Sequence, residues 1–160
     1  MLGLRSIISY TVVMLLWLAA GATRGAAQGP RSPFRYAAKI VCGAPREAGR
    51  GAVVLQLYAT TINIHNPGDS EAVFLKSLVL TVPPGRQRPV EPKKVAEDKL
   101  PPDGALATDC SDLRARVPGL PVFFEGFVLL DSRSSLDVVG VYSVPGGIDV
   151  VNVPERRRAQ

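Results

Sequence analysis

After residue 27 the chain is cut into short stretches by its breakers, and between the breaks apolar residues recur at every second position. Fourteen prolines and 15 glycines in 160 residues disfavour a set of long helices. Proline removes a backbone donor, and glycine costs conformational entropy inside a regular element. The stretches between them are rich in β-branched and aromatic residues, as strands are. Residues 34–42 (FRYAAKIVC) read as a first strand. Residues 52–65 are long enough for one long strand, or two joined by a bend. In the second half of that stretch Tyr58, Thr60, Ile62 and Ile64 share one face, and Ala59, Thr61, Asn63 and His65 share the other. That alternation marks a strand buried on one side.

Asn66-Pro67-Gly68-Asp69 is a strong turn signal, which predicts that residues 71–82 return as a hairpin partner. Residues 83–99 are proline-rich and charged. They read as a long crossing loop with a short edge strand near Val95, where prolines do least harm to a ladder. A second turn at residues 100–104 leads into residues 105–110. Ser111 to Arg116 fits one helical turn with Ser111 as its N-cap, stopped by Pro118 to Pro121. Residues 122–130 and 136–144 form another expected hairpin across the turn 131–135. Pro145-Gly146-Gly147 then introduces a last strand, 148–153. Seven or eight short strands with at most one helical turn imply an all-β fold, an immunoglobulin-like antiparallel β-sandwich. A small closed barrel is the alternative.

The N-terminus has a different character. Arg5 precedes the apolar run IISYTVVMLLWLAA, and small residues follow at Gly21, Ala22, Gly25, Ala26 and Ala27. That order is the pattern of a secretory signal peptide. Gly25 and Ala27 suit the −3 and −1 positions of a cut before Gln28, with Ala20 and Ala22 a second option. The competing reading is an uncleaved anchor, since 18 uncharged residues separate Arg5 from Arg24, at the short limit for a span. The expected organisation is a signal peptide over 1–27, a flexible lead-in over 28–33, the sandwich over 34–154 and a disordered basic tail over 155–160. No later stretch is apolar and long enough to span a membrane.

Export bears on the two cysteines, Cys42 and Cys110. An oxidising compartment favours a disulfide between them. Two buried free thiols, or pairing with another chain, are the alternatives. Arg5 and Arg24 are two of the 19 basic residues, and all 14 acids lie beyond residue 27, so the processed chain carries +3. That is no nucleic-acid footprint. The Arg86, Arg88, Lys93, Lys94 cluster is interrupted by Glu91 and followed by Glu97 and Asp98, as on a solvated loop.

Catalytic and metal chemistry find little support. His65 is the one histidine, and both methionines, Met1 and Met14, lie in the signal segment. A zinc site needs about four convergent Cys, His or carboxylate ligands, and no paired C-x-x-C occurs. Asp69, Asp109 and Asp112 are scattered turn residues, a poor calcium set. His65 is the only candidate base for a serine nucleophile, and no G-x-S-x-G occurs; Ser134 and Ser135 read as turn residues. No phosphate-binding loop joins a strand to a helix. No cofactor is expected. Glu125, in the middle of an apolar strand, and Asp137 in the next strand form the one carboxylate pair a hydrolase could use. Otherwise both sit on wet faces beside Arg or Lys.

The late hairpin is apolar on both sides. Phe124, Val128 and Leu130 oppose Phe123, Phe127 and Leu129, and Leu136, Val138 and Tyr142 oppose Val139 and Val141. In a two-sheet sandwich one face should be wet. The excess face (Phe123, Phe127, Leu129, Val139 and Val141) is therefore a candidate interface, covered by the C-terminal strand, by the long loop or by another subunit.

Three stretches taken together carry a resemblance: Tyr58 to Pro67 (YATTINIHNP), Asp109 to Asp112 (DCSD), and Phe124 to Val128 (FEGFV) with Leu136 to Val139 (LDVV). They resemble a group of uncharacterised exported bacterial β-sandwich proteins over most of the chain beyond the signal. The resemblance implies a sandwich in the bacterial envelope, periplasmic or extracellular, and implies no activity. A fainter likeness to the sandwich fold of sensory-rhodopsin transducers rests on a strand ending in Asn before a polar turn and on a late hairpin turn like Asp131-Ser132-Arg133. That family oligomerises.

The function expected from all this is a non-catalytic envelope module that binds a protein, a glycan or itself. The rivals are a small hydrolase built on Glu125 and Asp137, and a sensor holding a small apolar ligand between its sheets. When the full chain is expressed in a bacterial host, N-terminal sequencing of the recovered protein should begin at Gln28; a chain that still begins at Met1 would make the segment an anchor.

Overall fold

A computed structural model describes residues 32–45, 55–82, 88 and 90–157. The signal segment, residues 28–31 of the lead-in, residues 46–54, most of the loop 83–89 and residues 158–160 of the tail lie outside the described residues. The described elements are β1 (Phe34–Cys42), β2 (Ala59–His65), β3 (Ala72–Leu80), β4 (Lys93–Leu100) and β5 (Ala105–Asp109). They continue with α1 (Cys110–Arg116), β6 (Phe124–Ser132), β7 (Asp137–Val144), β8 (Gly147–Asn152) and β9 (Arg156–Arg157). Two antiparallel sheets form the expected all-β sandwich. One has the order β4-β3-β6-β1-β9 and the other β5-β2-β7-β8. Period-2 patterning produces this: in β1 every second residue from Tyr36 to Cys42 is buried, and in β2 Thr60, Ile62 and Ile64 are. Between the sheets lie Tyr36, Ile40, Ile62, Ile64, Phe74, Leu78, Val128 and Leu130. Leu113 of α1, fully buried, joins them.

Both expected long hairpins are absent. β3 does not return beside β2, because β5 and β7 occupy the two sides of β2. The Asn66 turn carries the chain across to the other sheet instead. Its side chain is fully buried, and its amide donates to the carbonyls of Ser70 (2.8 Å), Leu100 (3.1 Å) and Pro101 (3.0 Å). Likewise β7 does not pair with β6, whose two sides are taken by β1 and β3. The connection 133–136 passes from the five-stranded to the four-stranded sheet. Among the described strands only β3–β4 and β7–β8 are consecutive in sequence and paired.

Smaller differences have local causes. The edge strand near Val95 is eight residues long, with a bulge opposite Lys76 and Ser77. The N-cap of α1 is Asp109, one carboxylate oxygen of which accepts both the Ser111 and Asp112 N–H groups at 2.8 Å. Ser111 is a first-turn residue. The described start of the tail is ordered by contacts: Arg156 and Arg157 pair with β1, and Glu155 accepts from Tyr36 and Ser135.

Polar bonds cross the sandwich at β1. The Tyr36 hydroxyl accepts the Leu136 N–H (2.7 Å), and burial pushes its pKa up. The Tyr142 hydroxyl donates to the Lys39 carbonyl (3.1 Å). Thr60 Oγ1 accepts from the Val41 N–H (3.1 Å) and donates to the Val41 carbonyl (3.0 Å). Beside them Cys42 and Cys110 are bonded, with Cα atoms 5.7 Å apart. Gly43 follows with φ +87° and pairs with Tyr58; a Cβ there would fall 2.0 Å from the Val122 carbonyl oxygen. Gly126 is as constrained, since a Cβ would meet the Val79 carbonyl oxygen at 2.1 Å.

The disulfide closes a separation of 68 residues. Replacing both cysteines by alanine should therefore lower stability by about 4 kcal/mol on the chain-entropy estimate. Urea unfolding of the two forms checks this, and equal midpoints would contradict it.

Candidate interaction surfaces

The five residues expected to form one interface lie on two opposite sides of the molecule. Phe127 and Leu129 project from β6 on the outer face of the five-stranded sheet, and Phe123 lies just before β6. Val139 and Val141 project from β7 on the outer face of the four-stranded sheet. The hairpin that would have joined them does not form, so they make no single patch.

The outer face of the five-stranded sheet is laced by charge between β1 and β6. Arg35 grips Asp131 with two 2.6 Å bonds. Lys39 reaches Glu125 at 2.6 Å and stands 5.3 Å over the Phe127 ring. Leu129, opposite Ala37, sits between these pairs and is half-buried. Glu125 is thus a paired surface acid. Phe127 also forms one wall of a shallow groove of about 440 Å³ with Val79, Val82, Arg88 and Val90, and is itself 38% exposed. Phe123 packs against Tyr58, with ring centroids 6.3 Å apart.

The four-stranded sheet presents a different outer face. Ala59, Thr61 and Asn63 of β2, Ala105 and Ala107 of β5, Val139, Val141 and Ser143 of β7, and Ile148, Val150 and Asn152 of β8 share it by register. Its ionisable side chains stand at the ends. His65 Nδ1 lies 3.0 Å from Asp137 Oδ2 at one, and Asp109 caps α1 at the other. Ile148 and Val150, which the sequence reading did not single out, are 72% and 60% exposed. All six residues of β8 are exposed. Depletion of charge over an apolar patch is the compositional mark of an interface core.

The other constellations disperse. Glu125 and Asp137 stand on the outer faces of opposite sheets, with the packed core between them. They do not meet in a cleft, which removes the geometry a two-carboxylate hydrolase needs. His65 is held by Asp137 on an exposed sheet end, and Ser135 is engaged with Glu155. Among the described residues no group of three His, Cys, Asp or Glu could hold a metal. No helix among them is long and apolar enough to cross a membrane.

One polar cluster escaped the sequence reading. Lys76 is only 2% exposed and reaches Asp98 of β4 at 3.1 Å and Asp112 of α1 at 3.8 Å. Arg116 in turn holds Asp112. The signal was present: by period-2 parity Lys76 shares the face of Phe74 and Leu78, so it had to point inward and find acids. The cluster ties the helix to the β3–β4 edge and is structural.

Compared with known proteins, the chain matches no protein-family model, no curated protein and no solved structure.

The α1 cap has a pH signature. Hydrogen bonds from the Asp112 and Ser111 groups hold the Asp109 carboxyl below its usual range. A lowered native pKa contributes stability that is complete above about pH 4 and is lost as pH falls through the native value. Asp109→Ala should cost about 1 kcal/mol at pH 7. Asp109→Asn should differ from the parent at pH 7, and the gap should narrow as the pH falls below about 4, read by urea unfolding at each pH; a constant gap would mean the charge does not act in the cap.

Proposed function

We propose that this chain is an exported, non-catalytic interaction module that associates through its four-stranded sheet. One observation carries the reading. The outer face of that sheet is uncharged between the His65–Asp137 pair and Asp109, and it runs without a break onto the exposed strand β8. Water-exposed apolar faces of this kind mark interaction sites, whereas the opposite face is laced with ion pairs. Self-association is the most economical version, since it needs no partner with a surface of its own design.

Export is supported by two features. The N-terminal segment follows the order of a signal peptide, and the Cys42–Cys110 bond belongs in an oxidising compartment. The expected location is periplasmic or extracellular.

The test is light scattering coupled to size exclusion on the full chain, expressed with its own N-terminal segment and used in the form the host releases. A species heavier than the monomer is expected at tens of micromolar, an order of magnitude chosen to lie within the range of weak, transient interfaces. Ile148→Lys, on the same outer face and 72% exposed, should shift it towards the monomer. A monomer at every concentration for the parent protein would refute self-association, and an oligomer untouched by Ile148→Lys would place the contact off this face.

A further inference from the structure

We infer that two copies of this chain join through β8, pairing antiparallel about a twofold axis at Val150 and extending two four-stranded sheets into one of eight strands. This rests on the self-association reading above and names its contact.

The four edges of the described sheets are not alike. An open edge is a template for another strand, and proteins defend edges with charge, bulges, brevity or cover. β4 carries five charged residues in eight and a bulge. β9 is two arginines long. β5 has five residues and runs directly into α1. Among the described residues β8 has neither bulge nor cover. Its six residues (GIDVVN) include one charge, Asp149, and its register with β7 is unbroken from Gly147 to Asn152. Ile148, Val150 and Val151 are 72%, 60% and 42% exposed. Side chains on both faces of β8 are thus in solvent, at an edge that lacks the protections of the other three.

Hydrogen-bond parity selects how a second strand would dock. The Val153 N–H donates to the Val138 carbonyl at 2.8 Å, in line with the β7–β8 register. Bonding pairs alternate along an antiparallel ladder, so Asp149 and Val151 also turn their backbone groups towards β7. Ile148, Val150 and Asn152 turn theirs outward. A second copy centred on Val150 then places Val150 against Val150 and Ile148 against Asn152, with every outward N–H meeting an outward carbonyl.

Charge selects the same register. Centred on Val150, Asp149 lies opposite Val151 of the second copy. Moving the centre to Asp149 would set two carboxylates face to face, and like charges directly opposite are destabilising. Moving it to Val151 would set Ile148 against Pro154, which has no N–H to give. The Val150 register also leaves the outer faces of both sheets on one side, so their uncharged surfaces become continuous.

A charge-swap experiment at Val150 tests this. The full chain is made as Val150→Lys and as Val150→Glu, each expected to fold, since the side chain is solvent-exposed, and each checked by thermal unfolding. Light scattering should show that each alone dissociates, with a dissociation constant raised roughly tenfold or more by like charges at the axis. An equimolar mixture should recover the dimer, because the ammonium introduced in one copy then faces the carboxylate introduced in the other. Variants that associate as well as the parent would overturn the β8 contact while leaving self-association standing. Dissociation without recovery on mixing would overturn the Val150 register. A parent protein that is itself monomeric would remove the self-association reading and this inference with it.

Discussion

The attachment of β1 to the opposite sheet is the constraint on which the rest of the sandwich depends. β1 belongs to the five-stranded sheet, yet its residues are bonded across the core along its length. Tyr36 holds Leu136, the Lys39 carbonyl receives Tyr142, Val41 shares two bonds with Thr60, and Cys42 is joined to Cys110. Apolar contact between sheets is non-directional. These bonds are directional, so they set where one sheet sits over the other. They also place α1, because Cys110 is its first residue and Leu113 closes the end of the core.

With that alignment set, the two outer faces take opposite characters. Arg35, Lys39, Glu125 and Asp131 meet across β1 and β6 because cross-strand neighbours on one face lie within reach of one another. Water and ion pairs therefore suit that side. The other sheet has small and β-branched residues at the equivalent positions, and its last strand lies beyond the cover of the core, with all six residues exposed. The contrast between a defended edge at β4 and an undefended one at β8 follows from sequence, but it becomes visible only when each strand is known to be an edge.

Lys76 shows how a charged residue can serve packing. Its stem lies on the inner face with Phe74 and Leu78, while its ammonium meets Asp98 and Asp112 where β4 and α1 close the sandwich. A buried ion pair of this sort contributes little net stability and is costly to break from one side. Its effect here is to specify which acids, and so which elements, come together at that corner.

Local pattern alone determined much of this protein. Alternation placed β1 and the buried face of β2, breakers placed the turns, and the two cysteines were assigned to one another. The short helix was located, although its cap was displaced by two residues because Asp109 and Ser111 are both good acceptors and only the chain's path decides between them. What the sequence did not determine was pairing. A turn such as Asn66 to Asp69 reverses direction equally well within a sheet or across a core, and the choice was made by Asn66 binding the 100–104 loop and by β5 and β7 occupying both sides of β2. The same holds for β6 and β7, whose shared apolar character reads as one hairpin but serves two sheets. Glu125 and Asp137 look like neighbours for that reason, and are separated by the core. Strand identity is a property of neighbouring residues; strand partnership depends on competition among all strands for a limited number of edges, which is resolved only in the folded molecule.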